Sequence, residues 1–162
     1  MPCALLSCCE STAKPMDWTT DEFFMREALK QAELAYQQEE VPVGAVVVAN
    51  DRIISRAHNL TERLNDATAH AEMQALTAAS HALSSKYLPD CTLFVTLEPC
   101  VMCSGALFWS QIGRVVFGAY DEKRGFHSWK SLALHPKTEW TGGLLEQESS
   151  ELLRSFFRAR RK

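Results

Sequence analysis

Cys91-Thr92-Leu93-Phe94-Val95-Thr96-Leu97-Glu98-Pro99-Cys100-Val101-Met102-Cys103 reads as a strand running straight into a helix, and it ends in two cysteines at metal-ligand spacing. The run from Cys91 to Leu97 is almost continuously apolar, as a strand buried on both faces must be. Pro99 suits the first helical position, where its missing N–H costs nothing, and the helix extends to about Trp109. Cys100 at that terminus and Cys103 one turn later set both sulfurs on one side of the helix. The terminus also favours thiolates through its dipole and free N–H groups. A third ligand must come from elsewhere, and His70 in His70-Ala71-Glu72 is the best candidate. Three such ligands with a carboxylate nearby have the composition of a catalytic zinc centre with an open fourth position. Alone, the Cys-x-x-Cys pair reads equally as a redox couple or an incidental structural pair; His70 and Glu72 weigh towards zinc.

Glu72 stands two residues from His70, and residues two apart on a helix do not share a face. It is therefore read as a proton shuttle and not as a ligand. From the first helical turn it leans across the open position, takes a proton from a water there and delivers it to the substrate. The bland alternative is a solvated helix glutamate.

Outward from this core the chain alternates in type. Residues 1–15 show no period and are expected to be disordered, with organised sequence beginning at Met16. Thr19-x-x-Glu22 reads as a capping box opening a helix to about Gln38, with Met25, Ala28, Leu29, Ala32 and Tyr36 on its apolar face. Val43–Ala49 and Arg52–Ala57 form two strands about an Asn50-Asp51 turn, and residues 60–67 form a loop. A helix spans Thr68 to about Ala82, and a fourth strand Ile112–Ala119 follows the Cys100 helix. Residues 120–141 read as irregular. Gly142-Gly143 marks a turn, and a last helix, Glu148–Arg161, turns Leu152, Leu153, Phe156 and Phe157 inward. This order, without repeats or a linker, predicts one α/β domain on a single mixed sheet.

Composition sets few limits. With 162 residues, 46% hydrophobic and 23% charged, the chain is ordinary for one globular domain with a sizeable core. The formal charge of −3 argues neither for nor against nucleic acid, while Arg154, Arg158, Arg160, Arg161 and Lys162 crowd the end of the chain with no acid after Glu151. Two readings of that cluster stay open: a phosphate-binding helix end, or solvated cations answering the helix dipole. The six cysteines do not form a disulfide framework, because two have metal spacing, Cys91 sits in a strand and Cys3, Cys8 and Cys9 lie in the N-terminal extension. A reducing cytoplasm is expected. Leu5-Leu6-Ser7-Cys8 faintly resembles a lipoprotein cleavage site, without the basic leader or the apolar length such a site needs. No membrane span is expected.

His70-Ala-Glu72 followed by Pro99-Cys-x-x-Cys103 resembles the signature of zinc nucleobase deaminases. Further blocks are similar to the bacterial tRNA-specific adenosine deaminases over nearly the whole chain from about residue 17. They are Val41-Pro-Val-Gly-Ala45, His58-Asn59, Asp66-x-Thr-Ala-His-Ala-Glu72, Thr96–Cys103, Ile112–Ala119 and Phe156-Phe-Arg-x-Arg-Arg161. The resemblance implies a three-layer α/β/α, cytidine deaminase-like domain over residues 16–162, built around a mixed five-stranded sheet. It implies one zinc ion per chain on His70, Cys100 and Cys103, Glu72 as the shuttle, and hydrolytic deamination of adenosine to inosine at wobble position 34 of a tRNA anticodon. Asn59 would hydrogen-bond the purine, Val43 and the backbone of Ala71 would line the base pocket, and the carbonyls at Glu98-Pro99 would face the departing ammonia. Asp121 would contact a sugar of the anticodon loop, and Phe156 with Arg160 would lie under that loop. A cytoplasmic homodimer whose sites draw on both subunits completes the expectation. Asn59 also reads simply as a strand terminator.

Three departures bear on substrate recognition. Ala67 stands where the family usually has proline, Tyr120 replaces a common basic residue, and residues 124–143 are shorter than usual. Two rival readings accordingly stay open: a deaminase of a free base or nucleoside, such as guanine or cytosine, and a catalytically dead zinc scaffold that only binds RNA. The basic tail argues against the first and Glu72 against the second.

Overall fold

Thr20 opens the first helix, accepting the Phe23 N–H at 3.2 Å with its side chain; the computed structural model describes residues 20–128 and 134–161. The cap is thus one residue later than the expected Thr19, which lies outside the described residues together with the extension 1–15. Helix α1 spans Asp21–Gln37 and buries Phe24, Met25, Ala28, Ala32 and Ala35. Strands β1 (Gly44–Ala49) and β2 (Arg52–His58) form a hairpin whose turn residues, Asn50 and Asp51, both take positive φ (49° and 56°). That is the conformation a tight hairpin turn demands and that Asn and Asp tolerate.

The expected loop 60–67 contains a short helix, α2 (Thr61–Leu64). Its first N–H groups, on Glu62 and Arg63, are taken by the buried carboxylate of Glu40 at 3.2 and 2.8 Å. Helix α3 is Ala71–Ala82 and not Thr68 onward, because His70 has extended backbone at its cap. Strand β3 (Cys91–Leu97) leads to α4 (Val101–Trp109), whose cap is Cys100; Pro99 therefore precedes the cap instead of opening the helix. Strand β4 is Arg114–Ala119. The stretch read as irregular contains a 3-10 turn, Phe126–Ser128, and a three-residue strand β5, Glu139–Thr141. Helix α5 runs Glu146–Arg160, with Phe156 buried but Phe157 exposed, against the expectation for the latter.

The sheet order is β2-β1-β3-β4-β5, antiparallel on the β2 side and parallel from β3 to β5. β5 escapes period reading because three exposed residues offer no alternation to detect. Alternate residues of the central strands face opposite cores. Val46, Val48, Phe94 and Val116 meet Phe24, Met25 and Ala28 of α1, and Ala45, Val47, Leu93, Val95 and Val115 meet Ala71, Ala75, Leu76 and Ala79 of α3 with Leu107 of α4. Gly44 is needed where α1 crosses β1, since a Cβ there would stand 2.1 Å from the Ala28 carbonyl oxygen. α5 lies beside α1 and against β4, which completes the three-layer α/β/α domain. No helix among the described residues is long and apolar enough to cross a membrane.

Candidate metal centre and active site

Topology gathers the predicted residues at one end of the sheet. β1 runs antiparallel to β3, so the start of β1 and the end of β2 lie beside the carboxyl ends of β3 and β4. The caps of α3 and α4, His70 and Cys100, meet at that same end. Ligands commonly bind in α/β sheets at the carboxyl ends of parallel strands.

His70 Nδ1 stands 3.7 Å from Cys100 Sγ and 3.5 Å from Cys103 Sγ, and all three ligand atoms lie within 4.8 Å of one another. A tetrahedral ion with Zn–N near 2.1 Å and Zn–S near 2.3 Å would set nitrogen and sulfur about 3.6 Å apart, so the donor set fits zinc. Cap conformation explains how the spacing works. Extended backbone at His70 and Cys100 releases each from the helical period, so Glu72 and His70 reach one site although two apart.

Proton affinities follow from the crowding. The Cys103 thiol, hydrogen-bonded to the Cys100 sulfur, brings the Cys100 pKa down to about 3 against its partial burial, with His70 adding to the effect. Cys103 is pushed strongly up by that same bond and by its own burial. His70 is raised, first by its hydrogen bond with Cys100. Protons thus occupy the positions a dication displaces, and metal affinity must fall as the solution is acidified. Glu72 is 4% exposed, and burial raises its carboxyl to about 7. A carboxyl poised there accepts and returns a proton at neutral pH.

The substrate residues named from resemblance fall into three groups. Val43 and Asn59 are neighbours, the Asn59 N–H donating to the Val43 carbonyl at 3.0 Å, and Ala71 is buried at the start of α3. Glu98 and Asp121 are also neighbours, with the Asp121 N–H on Glu98 Oε2 at 3.0 Å. The Asp121 carboxylate accepts from the N–H groups of Lys123 and Arg124, both at 3.0 Å, and so shapes its own turn. Phe156 and Arg160 lie at the far end of α1, where the Phe156 ring meets Tyr36 edge-on and the Arg160 guanidinium covers Phe156 at 4.5 Å and donates to the Glu39 carbonyl. Phe156, 4% exposed, anchors α5 and offers no surface to an RNA.

Several positioning groups escaped the sequence reading. Glu40 is fully buried and accepts from Asn59 Nδ2 and two backbone N–H groups. Gln74 of α3 donates to the carbonyls of His58 and Ala69 at 2.7 and 3.1 Å, tying the end of β2 to the approach to His70. Asp66 holds the Thr68 N–H and hydroxyl at 2.8 and 2.7 Å, so hydrogen bonds supply stiffness where Ala67 replaces the usual proline. No local period marks Glu40 or Gln74, because Glu40 meets Asn59, Glu62 and Arg63, and Gln74 meets His58, all distant in the chain.

Residues 18–119 match the family model of the cytidine and deoxycytidylate deaminase zinc-binding region. A tRNA-specific adenosine deaminase of Aquifex aeolicus is 47% identical over 85% of this chain and 93% of its own. A solved structure from work on A-to-I editing by tRNA:A34 deaminases at the wobble position is 42% identical with TM-score 0.74, over 80% of this chain and 98% of that one. A guanine deaminase of Nitrosomonas europaea superimposes with TM-score 0.73 at 25% identity, over 85% of each chain. The chain therefore belongs to the zinc-dependent cytidine and deoxycytidylate deaminase family, within its tRNA-specific adenosine deaminase branch.

Proposed function

We infer that this chain is a zinc-dependent hydrolase converting adenosine 34 of a tRNA anticodon to inosine with release of ammonia. The observation that carries the reading is the three-ligand group His70, Cys100 and Cys103 with a buried carboxyl, Glu72, held beside it. Zinc bound there supplies a Lewis acid that makes water nucleophilic at neutral pH. Glu72 takes one proton from the attacking water and passes it to the purine ring nitrogen, then carries the second, from the hydroxyl added to the base, to the leaving amine, so adenosine and water become inosine and ammonia. Burial keeps bulk water from competing for that proton. Val43, Ala71 and Asn59 form the wall on which the base is held, and Asp121 lies on the rim where the loop sugar would pass. An anticodon base is already unpaired, so splaying it into this pocket costs little.

The enzyme works as a cytoplasmic homodimer. Its α4 carries no charged residue from Val101 to Trp109 yet leaves Val101 half exposed and Trp109 78% exposed, and an uncharged helix face of that kind suits burial against a second copy. Arg158 and Arg160 in the last turn of α5 favour a polyanionic substrate.

The test offers the zinc-loaded chain an anticodon stem-loop with adenosine at the wobble position, and separately guanine and cytosine. Inosine in the stem-loop is expected. Ammonia from a free base alongside an unreacted stem-loop would transfer the assignment to the rival reading.

A further inference from the structure

The buried carboxylate of Glu98, two residues before the ligand Cys100, holds a surface turn by both ends. It accepts the Asp121 N–H at 3.0 Å, the His127 N–H at 2.9 Å and the His127 ring Nδ1 at 2.5 Å. The turn passes so close that a Cβ on Gly125 would stand 2.3 Å from this carboxylate. It is also stitched to the ligand segment, through a bridge between Gly125 and Cys100 and a 3.0 Å bond from the Phe126 N–H to the Pro99 carbonyl. The turn therefore borders the metal centre.

What it displays there is aromatic. With Nδ1 committed to Glu98, the His127 ring is fixed in orientation, its side chain 41% exposed, and Nε2 has no partner among the described residues. Tyr120, a residue 43% exposed, sets its ring edge-on to it with centroids 5.9 Å apart at 89°. Tyr120 occupies one of the positions at which this chain departs from its family's usual basic residue. Two half-exposed aromatic residues, one clamped by a buried carboxylate, with the Arg124 cation on the same turn, match what single-stranded RNA is held by: aromatic faces for unstacked bases and cations for the backbone. Because Glu98 holds the His127 ring and both ends of the turn by hydrogen bonds within the chain, little ordering is left to be done on binding.

We propose that Tyr120 and His127 form a stacking platform for the unpaired nucleotide flanking the target base, and that this platform is a substrate-binding element of the enzyme. The proposal rests on the tRNA reading above, since a free base has no flanking nucleotide to stack.

The test is a thermodynamic cycle between protein and RNA, measured as KM with the zinc-loaded full chain. Substrates are the anticodon stem-loop and two copies carrying an abasic residue immediately 5′ or 3′ of the target. One abasic loop should raise KM about tenfold for the unchanged chain, from the usual strength of base–aromatic stacking. His127→Ala should raise KM similarly on the intact loop, with no further penalty on that abasic loop. A structural defect would not produce this coupling. Should His127→Ala fail to fold, Tyr120→Leu, an apolar replacement of a partly exposed residue, runs the same cycle. Penalties that simply multiply, or two abasic loops bound as well as the intact one, overturn the platform while leaving the tRNA reading standing. A stem-loop unreacted by the unchanged chain overturns both.

Discussion

The side-chain amide of Asn59 donates a 3.1 Å hydrogen bond to the carboxylate of Glu40, a residue with no exposed surface. A carboxylate only accepts, so it is the amide nitrogen of Asn59 that faces Glu40. The other contact of that nitrogen, Thr61 Oγ1 at 3.1 Å, is consistent with the same orientation. Glu40→Ala strips the acceptor from Asn59 and from the N–H groups of Glu62 and Arg63. The expected cost is about 1–3 kcal/mol, since the buried Asn59 amide loses an acceptor that solvent does not replace, while Glu62 and Arg63 are exposed. Thermal unfolding should show it directly, and kcat/KM on the stem-loop should fall with it. A variant as stable as the parent would mean the network contributes nothing.

Glu72→Gln should separate catalysis from metal binding. Zinc content, measured by mass spectrometry, should stay near one ion per chain, while deamination falls by about 10²-fold or more, the usual contribution of a positioned acid–base group. Cys103→Ala should instead lose both zinc and activity. Zinc loss in Glu72→Gln would show that Glu72 is a ligand.

Chelated protein should reveal the raised carboxyl of Glu72 as a stability effect. Its pKa is about 7 in the folded chain against an ordinary 4.5. The folded state therefore holds the proton more tightly than the unfolded one, and this group's contribution is complete below pH 4.5 and lost as pH rises through 7. Glu72→Gln, neutral throughout, should gain stability over the parent at pH 8 and not at pH 4.5. Equal differences at the two pH values in thermal melts would contradict the assignment.

Trp109→Glu places a charge on the most exposed apolar residue of α4. Sedimentation should find the parent dimeric at micromolar concentration and the variant monomeric, with activity reduced under the proposed homodimer, whose sites would draw on both subunits. A monomeric parent would end the homodimer proposal.

The division between what the chain order carries and what folding decides runs through these same residues. Buried strands and amphipathic helices announce themselves by period, which is why β1, β2, β3, β4 and the long helices were legible within a few residues. The metal chemistry was legible too, because Cys100 and Cys103 are ligands at local spacing and His70-Ala-Glu72 is compact enough to recognise. Helix starts were less so, since extended backbone at His70 and Cys100 depends on the caps meeting over one site. Strand β5, too short to show a period, exists because β4 offers it an edge. Glu40 looks like any surface glutamate in the sequence, and Glu98 entered only for its carbonyl, with nothing to mark its side chain as buried. Only the tertiary structure buries them, Glu40 against a cap 22 and 23 residues away and Glu98 against a turn 23 to 29 residues away, where their carboxylates fix Asn59 and His127. Reactive groups are written in the chain by type and spacing. Their orientation is set by partners that only folding brings within hydrogen-bond distance.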